Sequence, residues 1–301
     1  MADAVSVRAH AKVNLFLGVG ERRADGFHEL STVFQAVSLH DDVTVTAGSD
    51  EVTVAGLDAE RVPADPTNLA ARAARAVAEH VGCETELGVH IDKGIPTAGG
   101  MAGGSADAAG ALVAADRLLD AGLGEAELLE MAAELGSDVP FTLRGGTALG
   151  TGRGEKLVPV LARGTFHWVF AISARGLSTP EVFAKLDELR AAGKAPGPRT
   201  DATAVLSAVA AGDARALAEA MHNDLEAAAF SLRPDLRRLR EAAREAGALR
   251  AMLSGSGPTM AFLCASGADA EAVADELTGA NLCRAAFVAE GPRPGVVGLD
   301  W

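Results

Sequence analysis

The sequence predicts an α+β protein organised in two halves. Three observations carry that expectation: runs of alternating apolar and polar residues fill the first third, alanine-rich runs with helical spacing follow, and both kinds recur after residue 165 without a regular strand–helix–strand alternation. Each element has its own justification. VSVRAHAKVNLFLGV, HELSTVFQAVSL, DDVTVTAG and EVTVAGL are written with period two, which turns successive side chains to opposite faces, and predict four strands. NLAARAARAVAEHVG spaces Leu69, Ala73, Val77 and Val81 along one helical face, with Gly82 as the stop. ELGVHIDKGIP predicts a strand and the glycine-rich run after it a loop. ADAAGALVAADRLLDAG and GEAELLEMAAELG predict helices ended by Gly122 and Gly136, each expected in the left-handed conformation that glycine tolerates.

TALGTGRGEKLVPV returns to strand writing, and a boundary near residues 158 to 165 divides the chain into 1–160 and 161–301. The second half opens on the strand FHWVFAIS. Ser178-Thr-Pro-Glu181 is a capping-box signature for EVFAKLDELRAAG, with Thr179 before Pro180 an equal candidate for the cap. AGKAPGPRT predicts a surface loop, residues 203–247 two or three helices, LRAMLSGSGPTMAFL a hairpin, the stretch from Asp269 a helix, CRAAFVAE a strand, and GPRPGVVGLDW a loosely held tail.

Composition narrows the possible partners. A formal charge of −14 with no local basic patch opposes binding to nucleic acid or to an anionic membrane surface. The most apolar later stretch is broken by Gly255, Gly257 and Pro258, short of the roughly 20 uninterrupted apolar residues that span a bilayer. The three cysteines, Cys83, Cys264 and Cys283, are far apart and read as reduced thiols serving as small core residues. Together with an N-terminus that lacks the pattern of an export signal, they predict a cytoplasmic protein. The seven histidines are dispersed and no Cys or His pair has zinc spacing, so no metal site of the chain's own is expected.

IPTAGGMAGGSADAAG, residues 95–110, brings five glycines to the entry of a helix, four of them ahead of it. A dinucleotide fingerprint requires G-x-G-x-x-G, and the spacing here is wrong. The common P-loop requires a lysine before the Ser/Thr that follows its last glycine, and Ser105 follows Gly104 directly. Two readings stay open: a loop whose bare amides meet a phosphate at a helix N-terminus, or a tight turn that needs glycine for geometry alone. On the first reading, a side chain at Gly99, Gly100, Gly103 or Gly104 would hold an anion off the backbone. Asp107 reads as a surface residue matched to the helix dipole rather than a metal ligand.

The run from Pro96 to Ala109 resembles the glycine-rich phosphate loop of the GHMP kinases, which include galactokinase, homoserine kinase, mevalonate kinase and phosphomevalonate kinase. AKVNLFLGVGERRADGFHEL, GSDVPF and LSGSGPTMAFL, in that order, resemble the motifs of the branch acting on a cytidyl-diphosphate ester of methylerythritol, and the resemblance covers nearly the whole chain. It implies a two-domain GHMP kinase fold, with a ribosomal protein S5 domain 2-like N-terminal domain, a ferredoxin-like C-terminal domain and the active cleft between them. It implies transfer of the ATP γ-phosphoryl group to the 2-hydroxyl of the methylerythritol moiety in the non-mevalonate isoprenoid pathway, with Mg²⁺ carried on ATP, by a monomer or weak homodimer.

Residue roles follow from the same resemblance. Lys12 matches the family lysine beside the reacting hydroxyl, where a cation neutralises developing charge. Asp138 matches the second catalytic residue, as general base or as the group that holds Lys12; by itself it could equally be a turn or helix cap. Phe27 and His28 stand where the family recognises cytosine, with phenylalanine where tyrosine is common, and Phe183 matches a second aromatic closing the other face of the base. Asn14 falls against the methylerythritol hydroxyls or the diphosphate. On the ATP side the resemblance assigns Lys93, Pro96, Gly99, Gly100, Met101, Ala102, Gly103, Gly104, Ser105 and Ala106, with glycine and serine commoner at Ala102 and Ala106. Gly255-Ser256-Gly257 resembles a third motif facing the active site. Another GHMP kinase of homoserine or mevalonate type, a non-catalytic binding relative and a dinucleotide-dependent oxidoreductase are the rival readings.

Overall fold

A computed structural model describes residues 3–97 and 99–299 and contains two sheets. In the larger, β1 (Ala4–Arg22) and β2 (His28–Ala47) form a long antiparallel ladder. β2 also pairs with β4 (Leu87–Lys93), which carries β3 (Val52–Gly56) in parallel, and further along with β5 (Thr147–Gly152), which carries β6 (Lys156–Pro159). Helices α1 (Leu69–His80), α2 (Gly103–Leu118), α3 (Glu125–Leu135) and α4 (Val139–Arg144) belong to the same half. Ala73, Val77 and Leu112 bury against Val7, Val43 and Ile91 of the strands, which is how the period-two and period-3.6 patterns find each other.

The second sheet is antiparallel, with strand order β11-β7-β10-β9, from β7 (Phe166–Ile172), β9 (Arg250–Leu253), β10 (Met260–Cys264) and β11 (Ala285–Gly291). Helices α5 (Thr179–Ala191), α6 (Thr203–Ala211), α7 (Ala214–Ala220), α8 (Glu226–Leu232), α9 (Asp235–Glu245) and α10 (Gly267–Gly279) accompany it. Two short strands of this half cross to the first sheet. β8 (His222–Asn223) runs parallel to β1 at Phe16 and Leu17, and β12 (Val297–Gly298) antiparallel to it at Val7 and Arg8. Between the sheets lies one core, where Val13, Leu15 and Val33 meet Trp168, Phe170 and Leu263, and the indole Nε1–H of Trp168 donates to Gln35 Oε1 at 3.3 Å.

The α+β class holds, and several element-level expectations are corrected. The strands expected at 28–39 and 41–48 are one: the broken alternation near His40 is a bulge, since His10 faces His40 while Ala11 faces Val37, leaving Ser38 and Leu39 without partners. α2 begins at Gly103 rather than Ala106, so the last two glycines of the run lie inside its first turn. α4 is an extra helix, and four helices rather than two or three occupy 203–247. Ser178 holds the cap position of α5 but its side chain makes no capping bond. Gly136 is extended at φ 173°, and Gly122, left-handed at φ 66°, lies beyond the end of its helix.

α10 starts at Gly267, capped by Ser266. The tail is held by β12, by a bridge between Gly145 and Pro294, and by Leu299 N–H donating to Ser6 O, while Asp300 and Trp301 lie outside the described residues. Of the cysteines, Cys264 is buried in a core and Cys283 packs against it, but Cys83 lines a surface groove. All three are free thiols.

Trp168 is the largest wholly buried side chain between the two sheets. Trp168→Ala should lower the unfolding free energy by about 3–5 kcal/mol, read from urea denaturation.

Candidate active site

β1 supplies the floor of a cleft. Lys12 and Asn14, two residues apart on a strand, share a face. Lys12 Nζ donates to Asn14 Oδ1 at 2.8 Å, Asn14 Nδ2 donates to Thr32 Oγ1 at 2.8 Å, and Thr32 Oγ1 donates to Phe16 O at 2.7 Å. This relay fixes the Asn14 amide so that its oxygen faces the ammonium. Lys12 is 4% exposed, and its Nζ lies 5.5 Å from the Phe34 ring centroid. Asp138 Oδ2 stands 3.7 Å from Lys12 Nζ. Asp138 occupies the cap position of α4 yet caps no N–H with its side chain, which leaves the carboxylate to the cleft.

The glycines of residues 99–104 do different jobs. A Cβ on Gly100 would lie 2.3 Å from Ser254 O, and one on Gly99 2.6 Å from Thr259 Oγ1, so these two let the loop press against the β9–β10 hairpin. Gly100 and Ala102 are left-handed, at φ 70° and φ 61°. Met101 O accepts from Lys12 N at 3.2 Å, while the Met101 side chain and Ala106 point into the core. Gly103 faces Lys93 Nζ and Ile95. Only Gly104, in the first turn of α2, has open space where a side chain would stand. Three of the four glycines thus have a packing reason of their own, Gly99 and Gly100 against the hairpin and Gly103 over Lys93 and Ile95, and Gly104 alone opens on free space. Gly255 of that hairpin comes back to the cleft, its missing Cβ 3.5 Å from Lys12 Nζ.

Lys93 lines the cleft but is committed beneath the loop. Its Nζ donates to Asp41 Oδ2 at 2.5 Å and Asp107 Oδ2 at 2.7 Å, all three side chains being buried. Asp41 Oδ1 also accepts from the Gly94 and Ile95 amides at the start of the loop. Asp107 is therefore a buried partner of Lys93, not a surface residue. Burial, reinforced by Asp41, pushes its carboxyl well above the usual carboxylate range, and its Oδ1 has no hydrogen-bond partner among the described residues. Burial also opposes the charge on Lys93, but the two carboxylates outweigh it and hold the ammonium above its ordinary value.

Asp58 secures the outer end of the loop. It pairs with the two terminal guanidinium nitrogens of Arg284, from the other half of the chain, and accepts from Thr97 N at 3.3 Å and Thr97 Oγ1 at 3.2 Å. Chiefly because of Arg284, its pKa falls to about 2.

Two cavities meet over Asp138. One, of about 480 Å³, holds Lys12, Asn14, Pro96, Gly104 and Gly255, and extends to Arg61, Val62 and Pro63. The other, of about 670 Å³, holds Phe27, His28, Ser105, Phe183 and Asp187. Leu30, Asp138, Arg153, Thr179 and Phe183 line both. The His28 and Phe183 ring centroids are 5.1 Å apart, and Phe27, 53% exposed, carries the Arg153 guanidinium 5.3 Å from its centroid. Thr179 and Ser256, both of the second half, join hydroxyls at 2.7 Å. Arg153, Thr179 and Asp187 were missed by sequence reasoning; a lone arginine between glycines in GTGRGE is the only signal any of them gives.

Comparison with known proteins agrees with this geometry. Residues 68–146 match the GHMP kinases N terminal domain and residues 205–282 the GHMP kinases C terminal family. A crystal structure of 4-(cytidine 5'-diphospho)-2C-methyl-D-erythritol kinase superposes with a TM-score of 0.77 at 33% identity, covering 95% of this chain and 98% of that one. Homoserine kinase from Cytophaga hutchinsonii shares the fold at 20% identity and a TM-score of 0.77, covering 99% of this chain and 98% of its own. Fold and cleft together define a GHMP kinase, an ATP-dependent phosphotransferase. The 4-diphosphocytidyl-2-C-methyl-D-erythritol kinase of Nocardia farcinica is 57% identical over 98% of this chain and 96% of its own length. The chain belongs to the 4-diphosphocytidyl-2-C-methyl-D-erythritol kinase family.

Two outcomes test the loop. Gly100→Ala should cost about 2 kcal/mol or more, since a Cβ meets backbone oxygen and the left-handed φ is strained, whereas Gly104→Ala should stay within about 1 kcal/mol of wild type; thermal melts of both variants check this. Asp58, with its depressed pKa, contributes stability that is full above the unfolded value near 3.8 and is lost as pH falls through about 2. Asp58→Asn should therefore cost about 2 kcal/mol at pH 6 and about half that at pH 3, read from urea midpoints at both.

Proposed function

We propose that this cleft transfers the terminal phosphoryl group of ATP to the 2-hydroxyl of 4-diphosphocytidyl-2-C-methyl-D-erythritol, a step of the non-mevalonate route to isoprenoid precursors. The observation that carries the reading is the Lys12–Asp138 pair at the junction of two cavities, one with glycine backbone and the other with aromatic rings. Phosphoryl transfer leaves little covalent work to a protein, so positioning and charge account for most of the catalysis.

In this mechanism the triphosphate lies over Gly104 at the N-terminus of α2, where unpaired amides and the positive end of the dipole favour an anion. Gly99, Gly100, Met101, Ala102 and Gly103 shape that cradle, Pro96 and Thr97 flank it, and Arg61–Pro63 face the nucleoside end. Lys93 acts from below, by holding Gly94 and α2 in register. The cytosine stacks between Phe27 and Phe183 beside His28, which places the diphosphate near Arg153. The methylerythritol alcohol then reaches Asn14, Lys12 and Asp138.

Asp138 accepts the proton of that hydroxyl, whose oxygen bonds to the γ-phosphorus as the bond to the ADP oxygen breaks. Lys12, oriented by Asn14, sets its ammonium against the equatorial oxygens. The open backbone at Gly104 and the hydroxyl of Ser105 in the same helical turn suit a metal-bearing triphosphate. Mg²⁺, carried on ATP and held mainly by phosphate and water, would spread the phosphate charge.

We assign residues 1–160 to an ATP-binding and catalytic domain and 161–301 to a C-terminal GHMP kinase domain; each family match falls within one of them. We place the enzyme in the cytoplasm, acting on small molecules without nucleic acid or membrane partners, as a monomer or weak homodimer. Among the described residues no helix is long and apolar enough to cross a membrane.

Lys12→Ala and Asp138→Ala should each lower turnover by at least about 100-fold with little change in ATP affinity, in a coupled ADP-release assay with the cytidyl-diphosphate substrate beside homoserine and mevalonate. Release of ADP with homoserine or mevalonate alone would overturn the substrate assignment.

A further inference from the structure

The aromatic cavity contains a carboxylate that stacking does not need. Asp187 lies on α5 one turn after Phe183, and that spacing turns both side chains toward the same cavity. Asp187 Oδ1 accepts from His28 Nε2–H at 2.9 Å; the carboxylate can only accept, so the imidazole proton sits on Nε2. That bond commits the Nε2 edge of the ring to the carboxylate. Asp187 Oδ2 has no hydrogen-bond partner among the described residues. A base held between Phe27 and Phe183 beside this pair therefore meets the free acceptor oxygen of the Asp187 carboxylate.

Cytosine and uracil have nearly the same shape and stack alike, but differ at the position-4 substituent. Cytosine offers an amino donor there, where uracil offers a carbonyl acceptor, and carboxylates pair with the cytosine amino group. A uracil ring in the same pose would set its carbonyl against Asp187 Oδ2, acceptor against acceptor with no proton between. The two cationic side chains of the cavity, Arg22 and Arg153, suit a diphosphate but do not supply this discrimination.

We propose that Asp187 is the specificity-determining residue for the base, its Oδ2 accepting the exocyclic amino group of cytosine while its Oδ1 fixes His28. The inference rests on the substrate class proposed above. It assigns base choice to α5 of the second half, and to a residue outside the glycine loop and the Lys12–Asp138 pair.

The test compares kcat/KM for cytidyl- and uridyl-diphosphate esters of methylerythritol, by ADP release, in wild type, Asp187→Asn and Asp187→Ala, with thermal melts to establish that each variant is folded. Wild type should favour the cytidyl ester. In Asp187→Asn, whose amide can donate to the uracil carbonyl, the ratio should fall by at least about 10-fold, through KM for the alcohol and with KM for ATP unchanged; Asp187→Ala should lose selectivity as well. A wild-type ratio retained in both variants, or no base preference in wild type, overturns the role of Asp187 and leaves the substrate class standing. No ADP release by wild type with the cytidyl ester overturns the substrate class and this inference with it.

Discussion

The cleft depends on a contact in which backbone rests directly on backbone: Gly100 against Ser254, with Gly99 beside Thr259. No residue with a side chain fits there without displacing the hairpin, and through that hairpin the glycine loop is seated on the second half of the molecule. The seat sets the position of Met101, whose carbonyl receives the Lys12 amide, and so relates the loop to the strand that carries the catalytic lysine. Distances between groups on different elements, such as the 3.7 Å from Lys12 to Asp138, are meaningful because their supports are packed this closely.

Buried charge performs the same task from beneath. Lys93 precedes the loop and Asp107 follows it, so the ion pair between them closes the segment like a clasp, while Asp41 gathers Lys93 and the Gly94 and Ile95 amides. Removing Lys93 would leave two carboxyls buried side by side without their cation, at a cost of about 3–5 kcal/mol, far more than a surface pair would involve. The Asp58–Arg284 pair adds a tie between the halves at Thr97, just ahead of the glycines. An anion-binding loop with few side chains of its own is thus held by the side chains around it.

Much of this was legible in the chain. Period-two and helical spacing locate most strands and helices because one face of each element is buried and the other is not, and the motif carrying Lys12, Asn14, Phe27 and His28 is continuous in sequence. What stayed hidden involves partners distant in the chain. Asp107 looks like a residue placed for a helix dipole until Asp41 and Lys93 arrive from two other strands. The junction at His40 looks like a break between two strands until the register of β1 shows a bulge at Ser38 and Leu39 within one. Arg153, Thr179 and Asp187 become neighbours of the cleft only when the second half folds onto the first. The glycines illustrate the limit best, since sequence shows that a side chain is missing at Gly99, Gly100 and Gly104 but not that it would collide with the hairpin at the first two and meet open space at the third.

β1 has β2 along one side; along the other it meets β12 near its start, β8 near its end, and Met101 of the glycine loop between them. Two of these three covers come from beyond residue 160. A fragment ending there would leave much of the outer border of a long, apolar strand without hydrogen-bond partners, a template for pairing with other chains. The shared border ties the completion of the first sheet to residues of the second half, so the two halves are expected to mature together rather than as portable modules.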